Sequence, residues 1–345
     1  MPGETVRIGF IGAGANTRLR HIPGFRAIPG VELAAVCNRS LESGGAVAAE
    51  FGIPKVTTEP EEIFADPAID AVCIGTWPYR HREFSVRALQ AGKHVLCEAR
   101  MAMDAAEARE MLAAAEASGR VAQLVPAPFD LRCGPTIREL IAAGFVGQPT
   151  EVVVSVLNSQ GLDAGRTLQW RHRYDYSGKN TLMLGIYNEV VQRWLGDTTR
   201  VAAQARVFVD RRVDPDTGRE TEALIPDSIG VLAEMACGAR ATYVFSAIAQ
   251  GASPAGITVH GTAGAIAWEM GDRMKVAKAG QPYASLEPEA ALAGSWRVEA
   301  DFIDSIRLGR PVRLTSFADG VKYMEFADAV WRSWQQGRAI DLLPS

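Results

Sequence analysis

The segment Ile8-Gly9-Phe10-Ile11-Gly12-Ala13-Gly14-Ala15-Asn16-Thr17 constrains the fold more than any other part of this chain. An apolar run of strand length ends in a glycine turn and passes directly into a helical stretch. Gly12 permits the tight turn, and Gly14 lets the main chain approach a pyrophosphate. The helix that follows offers unpaired N–H groups and its positive dipole end to that anion. The third position of the G-x-G-x-x-G pattern is Thr17, not Gly or Ala. A partial match has little force alone, but this one opens the first strand of an alternating pattern, which is the context the motif requires. Dinucleotide binding is therefore expected at Gly12, Gly14, Ala15, Asn16 and Thr17. The alternative is a loop that only turns tightly.

The alternation continues for about the first third of the chain. Short apolar runs at Val6–Ile11, Val31–Cys37, 71–75, His94–Cys97 and 121–125 are bounded by Gly, Pro or Asp, as buried strands are. Helical patterns lie between them. The segment 83–91 stops at Gly92. Asp104 and Glu107 form an N-cap and capping box for 104–118, which stops at Gly119. Strand–helix alternation implies a parallel sheet covered on both faces, and right-handed crossovers make it doubly wound. The first domain is placed at 1–124.

After residue 125 the texture changes. Pro126, Pro128 and Pro135 interrupt the chain, and β-rich runs follow at 151–157, 201–210, 228–236, 240–249, 256–268 and 273–277. Several alternate apolar and polar residues, as in a sheet with one packed face. One helix is expected near 187–195, stopping at Gly196. Another at Phe317–Gln336 carries a core stripe of Tyr323, Phe326, Val330 and Trp334. The polar stretch 211–222 suits a hairpin tip. The second domain is placed at 125–345.

Charge excludes whole classes of partner. With 36 Lys and Arg against 40 Asp and Glu, the formal net charge is −4. A nucleic-acid or membrane surface needs concentrated positive charge, so neither is expected. Five cysteines, without a C-x-x-C pair, suggest unpaired thiols in a reducing compartment, and no metal site is expected. Met1–Arg7 carries no charged-then-apolar leader, and no stretch approaches the roughly 20 apolar residues of a membrane span. A cytoplasmic protein is expected.

The second strand should end on the residue that reads the adenosine ribose. An NAD site usually places Asp or Glu there. This chain has Asn38-Arg39-Ser40, a guanidinium and a hydroxyl in place of a carboxylate. Arg suits a phosphate in a two-pronged geometry, so NADP(H) is favoured over NAD(H). The alternative is an Arg39 that stacks on adenine and accepts either coenzyme.

Several segments together resemble the glucose–fructose oxidoreductase and inositol dehydrogenase family (Gfo/Idh/MocA). They are Gly12-Ala13-Gly14, His21-Ile22-Pro23, the stretch Cys73-Ile74-Gly75-Thr76-Trp77-Pro78-Tyr79-Arg80-His81, and Ala91-Gly92-Lys93 through Glu98. Trp170-Arg171 through Leu184-Gly185-Ile186-Tyr187, His260-Gly261-Thr262-Ala263-Gly264 and the C-terminal helix extend the resemblance over essentially the whole chain. It implies an α/β protein: a Rossmann domain plus a C-terminal α+β domain with an open, mostly antiparallel sheet. It implies homodimers or homotetramers formed through that sheet. It also implies NAD(P)-dependent oxidation or reduction of sugars, cyclitols and related alcohols. Thr76, Trp77, His81 and Glu98 then fall near the coenzyme.

The chain departs from that family where proton chemistry is expected. The family's acid–base lysine lies in a Glu-Lys-Pro run, and here the run is Glu98-Ala99-Arg100. Ala99 has no proton to give. The family's Asp-x-x-x-His at the catalytic helix becomes Met183 and Tyr187. Tyr187 is therefore the expected proton donor, with Lys179 or Arg100 as a cation able to lower its pKa or hold an anionic substrate. Arg171, His172 and Asn188 are expected to contact substrate. Three reactions remain open at this point: oxidation or reduction of a sugar-like hydroxyl or ketone, a lyase or glycosidase reaction through transient oxidation, or coenzyme binding without redox turnover.

Overall fold

The computed structural model describes residues 5–163, 165–251 and 254–342. Contacts group the chain into two compact units. One comprises Met1–Pro126 with Arg297–Val321, and the other Ala127–Trp296 with Lys322–Ser345. The segment Arg297–Val321, placed with the second domain from sequence, thus groups with the first unit.

The first unit holds a six-stranded sheet of β1 (Val6–Ile11), β2 (Val31–Cys37), β3 (Lys55–Thr57), β4 (Ala71–Ile74), β5 (His94–Cys97) and β6 (Ala122–Leu124). Their spatial order is β3-β2-β1-β4-β5-β6, and every pair is parallel. The order reverses at β1, and in such sheets ligands bind beyond the carboxyl ends of the strands at that switch point. The apolar runs are continuous because both sheet faces are covered: all four residues of β4 are buried, as are Ile8 and Phe10 of β1. The expected strands are present, and β3 adds a short one. Helix Leu41–Phe51 was not foreseen, since Gly44 and Gly45 weaken its pattern. Ser40 caps it and Gly52 ends it at φ 60°. Helix Ala105–Ser118 begins at the expected cap, where Asp104 accepts the N–H groups of Ala106 and Glu107.

The second unit is built on a nine-stranded sheet. Its strands are β7 (Pro149–Leu157), β8 (Thr198–Arg206), β11 (Ser228–Met235), β12 (Arg240–Ser246), β13 (Gly256–Gly261), β14 (Gly264–Glu269), β15 (Arg273–Lys278), β16 (Ala284–Leu286) and β17 (Ile340–Asp341). The hairpin β9 (Arg211–Val213) and β10 (Glu220–Glu222) stands apart. The sheet order is β16-β15-β14-β13-β7-β12-β11-β8-β17, and only β7 with β12 is parallel. The single run expected over 256–268 is two strands, because Thr262 and Ala263 turn between them. On the packed face lie Val152, Val154, Val231, Tyr243, Phe245, Ile257 and Val259. Helix Leu184–Leu195 starts three residues before its expected position. Tyr323, Phe326 and Val330 of helix Phe317–Gln336 are buried as expected, and Phe326 packs on Tyr243 with ring centroids 5.3 Å apart. The five cysteines are free thiols. No helix among the described residues is long and apolar enough to cross a membrane.

Candidate active site

In the first unit the glycine turn is built as a cradle. Gly12 has φ 79°, and a Cβ there would lie 2.9 Å from the Thr76 main-chain nitrogen. At Gly14 a Cβ would meet only the Gly75 carbonyl, at 3.9 Å, so the backbone there is open to a ligand. Thr17, buried in the third glycine's place, is accommodated from the other side. A Cβ on Gly75 would come within 2.1 Å of Thr17 Oγ1. The close approach that the motif assigns to its last glycine is thus supplied by Gly75. These features fit a pyrophosphate-bridged coenzyme.

The turn continues into a wide π-helical turn, Thr17–His21, rather than a regular α-helix. Such turns concentrate at functional sites. Ala15 and Asn16 are exposed at its start. Asn16 Nδ2 donates to Glu98, and His21 Nε2 lies 2.9 Å from the same Glu98 oxygen. His21 Nδ1 lies 2.6 Å from Glu299 Oε1. Burial alone would lower the imidazole pKa, but hydrogen bonds and charge from Glu299 and Glu98 outweigh it and raise His21 to about 9. Burial would raise Glu98, yet His21 and Asn16 hold its carboxyl below the usual range. Glu98 therefore stands as a half-buried carboxylate at the end of β5. Glu299 and this three-residue row were not anticipated; no local pattern marks a residue so far along the chain as a partner of His21.

The ribose-reading residues divide. Asn38 Oδ1 accepts the Ala13 N–H at 2.8 Å, tying the second strand to the glycine turn. Arg39 is exposed, its guanidinium 5.5 Å from the Trp77 ring centroid. Ser40 is committed elsewhere: its hydroxyl accepts the Ser43 N–H at 3.2 Å as the helix cap. Ser40 is exposed, so this cap lies at the position where the coenzyme contact is expected. His81 is likewise a framework residue, buried with Nδ1 2.8 Å from the Arg100 carbonyl and Nε2 2.9 Å from the Thr76 carbonyl. Burial lowers its pKa despite those bonds. The Thr76 hydroxyl is buried with no hydrogen-bond partner. Arg100 is buried in this unit.

In the second unit the expected proton donor lies deep. Tyr187 is 0% exposed, and its ring sits against Phe129, Phe245 and Trp268 with centroids at 4.6, 5.4 and 6.4 Å. Its hydroxyl has no hydrogen-bond partner among the described residues. Burial is the resolved cause that pushes the phenol well above its ordinary pKa, so the expected lowering by a nearby cation is corrected. Lys179 is instead paired with Asp328 of the C-terminal helix. Asn188, expected to contact substrate, is 0% exposed; its Nδ2 donates to Thr198 Oγ1 and the Tyr243 hydroxyl, and its Oδ1 has no partner among the described residues. Arg171 is exposed and lies 4.2 Å over the Trp170 ring, while half-buried His172 accepts the Gln169 N–H at 3.1 Å. The helix bearing Tyr187 is anchored by Arg193, Glu189, Trp194 and Asp130. Arg193 bridges Asp130, at 2.9 Å, and Glu189, and Trp194 Nε1 donates to Asp130 at 2.9 Å.

The family model for the oxidoreductase family with an NAD-binding Rossmann fold matches residues 6–125, and the model for the Gfo/Idh/MocA C-terminal domain matches residues 135–267. The chain belongs to the Gfo/Idh/MocA oxidoreductase family. A 1,5-anhydro-D-fructose reductase from Ensifer adhaerens is 40% identical over 143 residues, which is 41% of this chain and 43% of that protein. The chain thus spans less than half of that relative. A D-apiose dehydrogenase from Paraburkholderia graminis is 27% identical over 96% of this chain and 88% of its own. Among solved structures, a levoglucosan dehydrogenase in complex with NADH and L-sorbose superposes with a TM-score of 0.88 at 22% identity, covering 98% of this chain and 99% of that one. That likeness establishes the Gfo/Idh/MocA fold.

Proposed function

We propose that this protein is an NAD(P)-dependent oxidoreductase acting on a sugar-like or cyclic hydroxyl or ketone. Family membership supports the reaction class, and the named activities of the two curated relatives support the substrate class. The single observation that carries the reading is the glycine cradle. Its backbone is open at Gly14 and would be closed by a Cβ at Gly12 or Gly75. Gly12, Gly14, Ala15 and Asn16 would hold the coenzyme, with Thr17 fixing the turn, Asn38 bracing it and Glu98 bordering it. When bound, the nicotinamide supplies or accepts a hydride.

NADP(H) is the preferred coenzyme in this reading. The second strand ends without a carboxylate, and Arg39 keeps an exposed guanidinium beside Trp77, suited to a 2′-phosphate. Tyr187 is the proton donor. Its buried hydroxyl, lacking a protein partner, is free to donate to a substrate oxygen, and burial keeps its proton in place. A phenol held protonated suits reduction of a carbonyl, in which the developing alkoxide takes the proton.

Calorimetry with NADPH and NADH, followed by coenzyme absorbance against a panel of ketoses, inososes and their alcohols, tests this reading. Binding of either coenzyme with absorbance change on at least one panel member is expected. Folded protein that binds neither coenzyme would overturn it.

The assembly proposed is a homodimer or homotetramer through the large sheet. Across its open face, Ala202, Leu232, Thr242, Val153, Thr258 and Ala267 pair in one uncharged row over six strands. Leu232, Val153 and Val244 are 53%, 42% and 41% exposed. An uncharged row with exposed Leu232 and Val153 at its centre suits a second copy of the same face as its cover.

A further inference from the structure

We propose that Arg166, Arg171 and His172, backed by buried Arg212, form a subsite for an oxyanion, a carboxylate or phosphate, carried by the substrate. This rests on the oxidoreductase reading and narrows its substrate to an acidic sugar or cyclitol.

The cluster gathers three guanidinium groups, none ion-paired to a carboxylate among the described residues. Arg212 is only 6% exposed, and its two amino groups donate to the main-chain carbonyls of Gly161 at 2.7 Å and Arg166 at 3.2 Å, leaving Nε unpartnered. Arg166 donates to the side-chain oxygens of Gln160 at 3.4 Å and Gln169 at 3.2 Å. Arg171 stacks on Trp170 and is an exposed residue. Burying a positive charge against neutral acceptors alone is costly. An arginine that serves only to hold a loop would gain more from a neighbouring acid.

The acids in the neighbourhood offset this charge only in part: Asp227 and Asp163 both act on Arg212, against three guanidinium groups. Asp227 accepts main-chain N–H groups of Phe208 and Val209 at 2.8–3.1 Å, and Asp163 accepts that of Gly165 at 2.9 Å. Two carboxylates thus stand against three guanidinium groups, which leaves one positive charge in excess. Burial first, then the charges of Arg212, Arg166 and Arg171, depress His172 to about 4. The ring is therefore neutral at physiological pH. Because Nδ1 accepts the Gln169 N–H, Nε2 carries the proton and is a donor. A neutral N–H donor beside two guanidinium forks suits an oxyanion and offers little to a neutral hydroxyl.

The test measures direct binding by calorimetry at low ionic strength, with D-glucuronate, D-glucose 6-phosphate and D-glucose as probes. At least one anionic probe is expected to bind tighter than glucose by about tenfold or more. Which anion wins separates carboxylate from phosphate. Arg171→Gln should reduce that preference about tenfold without changing the thermal midpoint, and Arg310→Gln, an exposed arginine of the first unit, should leave it intact. Equal affinity for all three probes, or an Arg171→Gln protein that keeps the preference, overturns the proposal. Retained anion binding in a protein with no coenzyme affinity would leave the subsite standing while removing the oxidoreductase reading.

Discussion

His21 Nδ1 lies 2.6 Å from Glu299 Oε1, although 278 residues separate them in the chain. The contact completes a row in which one buried imidazole bridges two carboxylates, buried Glu299 and half-buried Glu98. Only the imidazolium donates through both nitrogens. The neutral ring would turn a lone pair toward a carboxylate, so the row depends on one charge state.

That dependence predicts a loss of stability in alkali. His21 is raised from 6.5 to about 9 in the folded state. A raised pKa contributes stability that is complete below about 6.5 and disappears as pH rises through 9, on the order of 3 kcal/mol at its largest. Urea midpoints measured from pH 6 to 10 should fall across that window in the wild type. They should fall far less in His21→Gln. Parallel curves for the two proteins would refute the charged bridge.

Gly24 makes room for the same carboxylate. A Cβ there would lie 2.7 Å from Glu299 Cδ and 2.8 Å from Oε2. Gly24→Ala should cost about 1–3 kcal/mol as overpacking. Combined with Glu299→Ala, the two losses should sum to less than their separate values. Strict additivity in denaturant unfolding would mean the two sites do not touch.

Tyr187→Phe should part stability from turnover. The variant removes a buried hydroxyl without a partner, so the fold should gain about 1 kcal/mol. Turnover should drop about 10²- to 10⁴-fold, as when a positioned acid is lost. A stabilised variant with wild-type turnover would make Tyr187 a packing residue.

Arg39→Ala should weaken NADPH by roughly 1.5–3 kcal/mol, the range for a hydrogen bond to a charged group, and barely change NADH. Equal losses for both coenzymes would assign Arg39 to adenine stacking instead.

Leu232→Glu places a charge in the centre of the uncharged row on the open sheet. Sedimentation should show an oligomer for the wild type and smaller particles for the variant. A wild type that sediments as a monomer at micromolar concentration would dispose of the sheet-mediated assembly.

Much of the first unit was legible in the chain itself. Continuous apolar strands and glycine stops repeat with the local periods of backbone geometry, and the glycine turn states its own conformation. The C-terminal helix was equally readable, because its stripe recurs every turn. The helix Val298–Leu308, which carries Glu299, was not: its acidic residues leave no clean stripe, and they are buried only because partners arrive from elsewhere. Pairing decided the rest. Lys179 found Asp328, Ser40 became a cap, Asn188 turned to Thr198 and Tyr243, and His81 bridged two carbonyls. A residue's type and spacing determine what it can donate or accept and which local element it favours. Which neighbour takes the bond, and whether water is excluded from it, depends on packing, which for His21 and Glu299 joins segments 278 residues apart. For that reason the tertiary structure alone decided that the Tyr187 phenol is raised rather than lowered, and that His21 is charged.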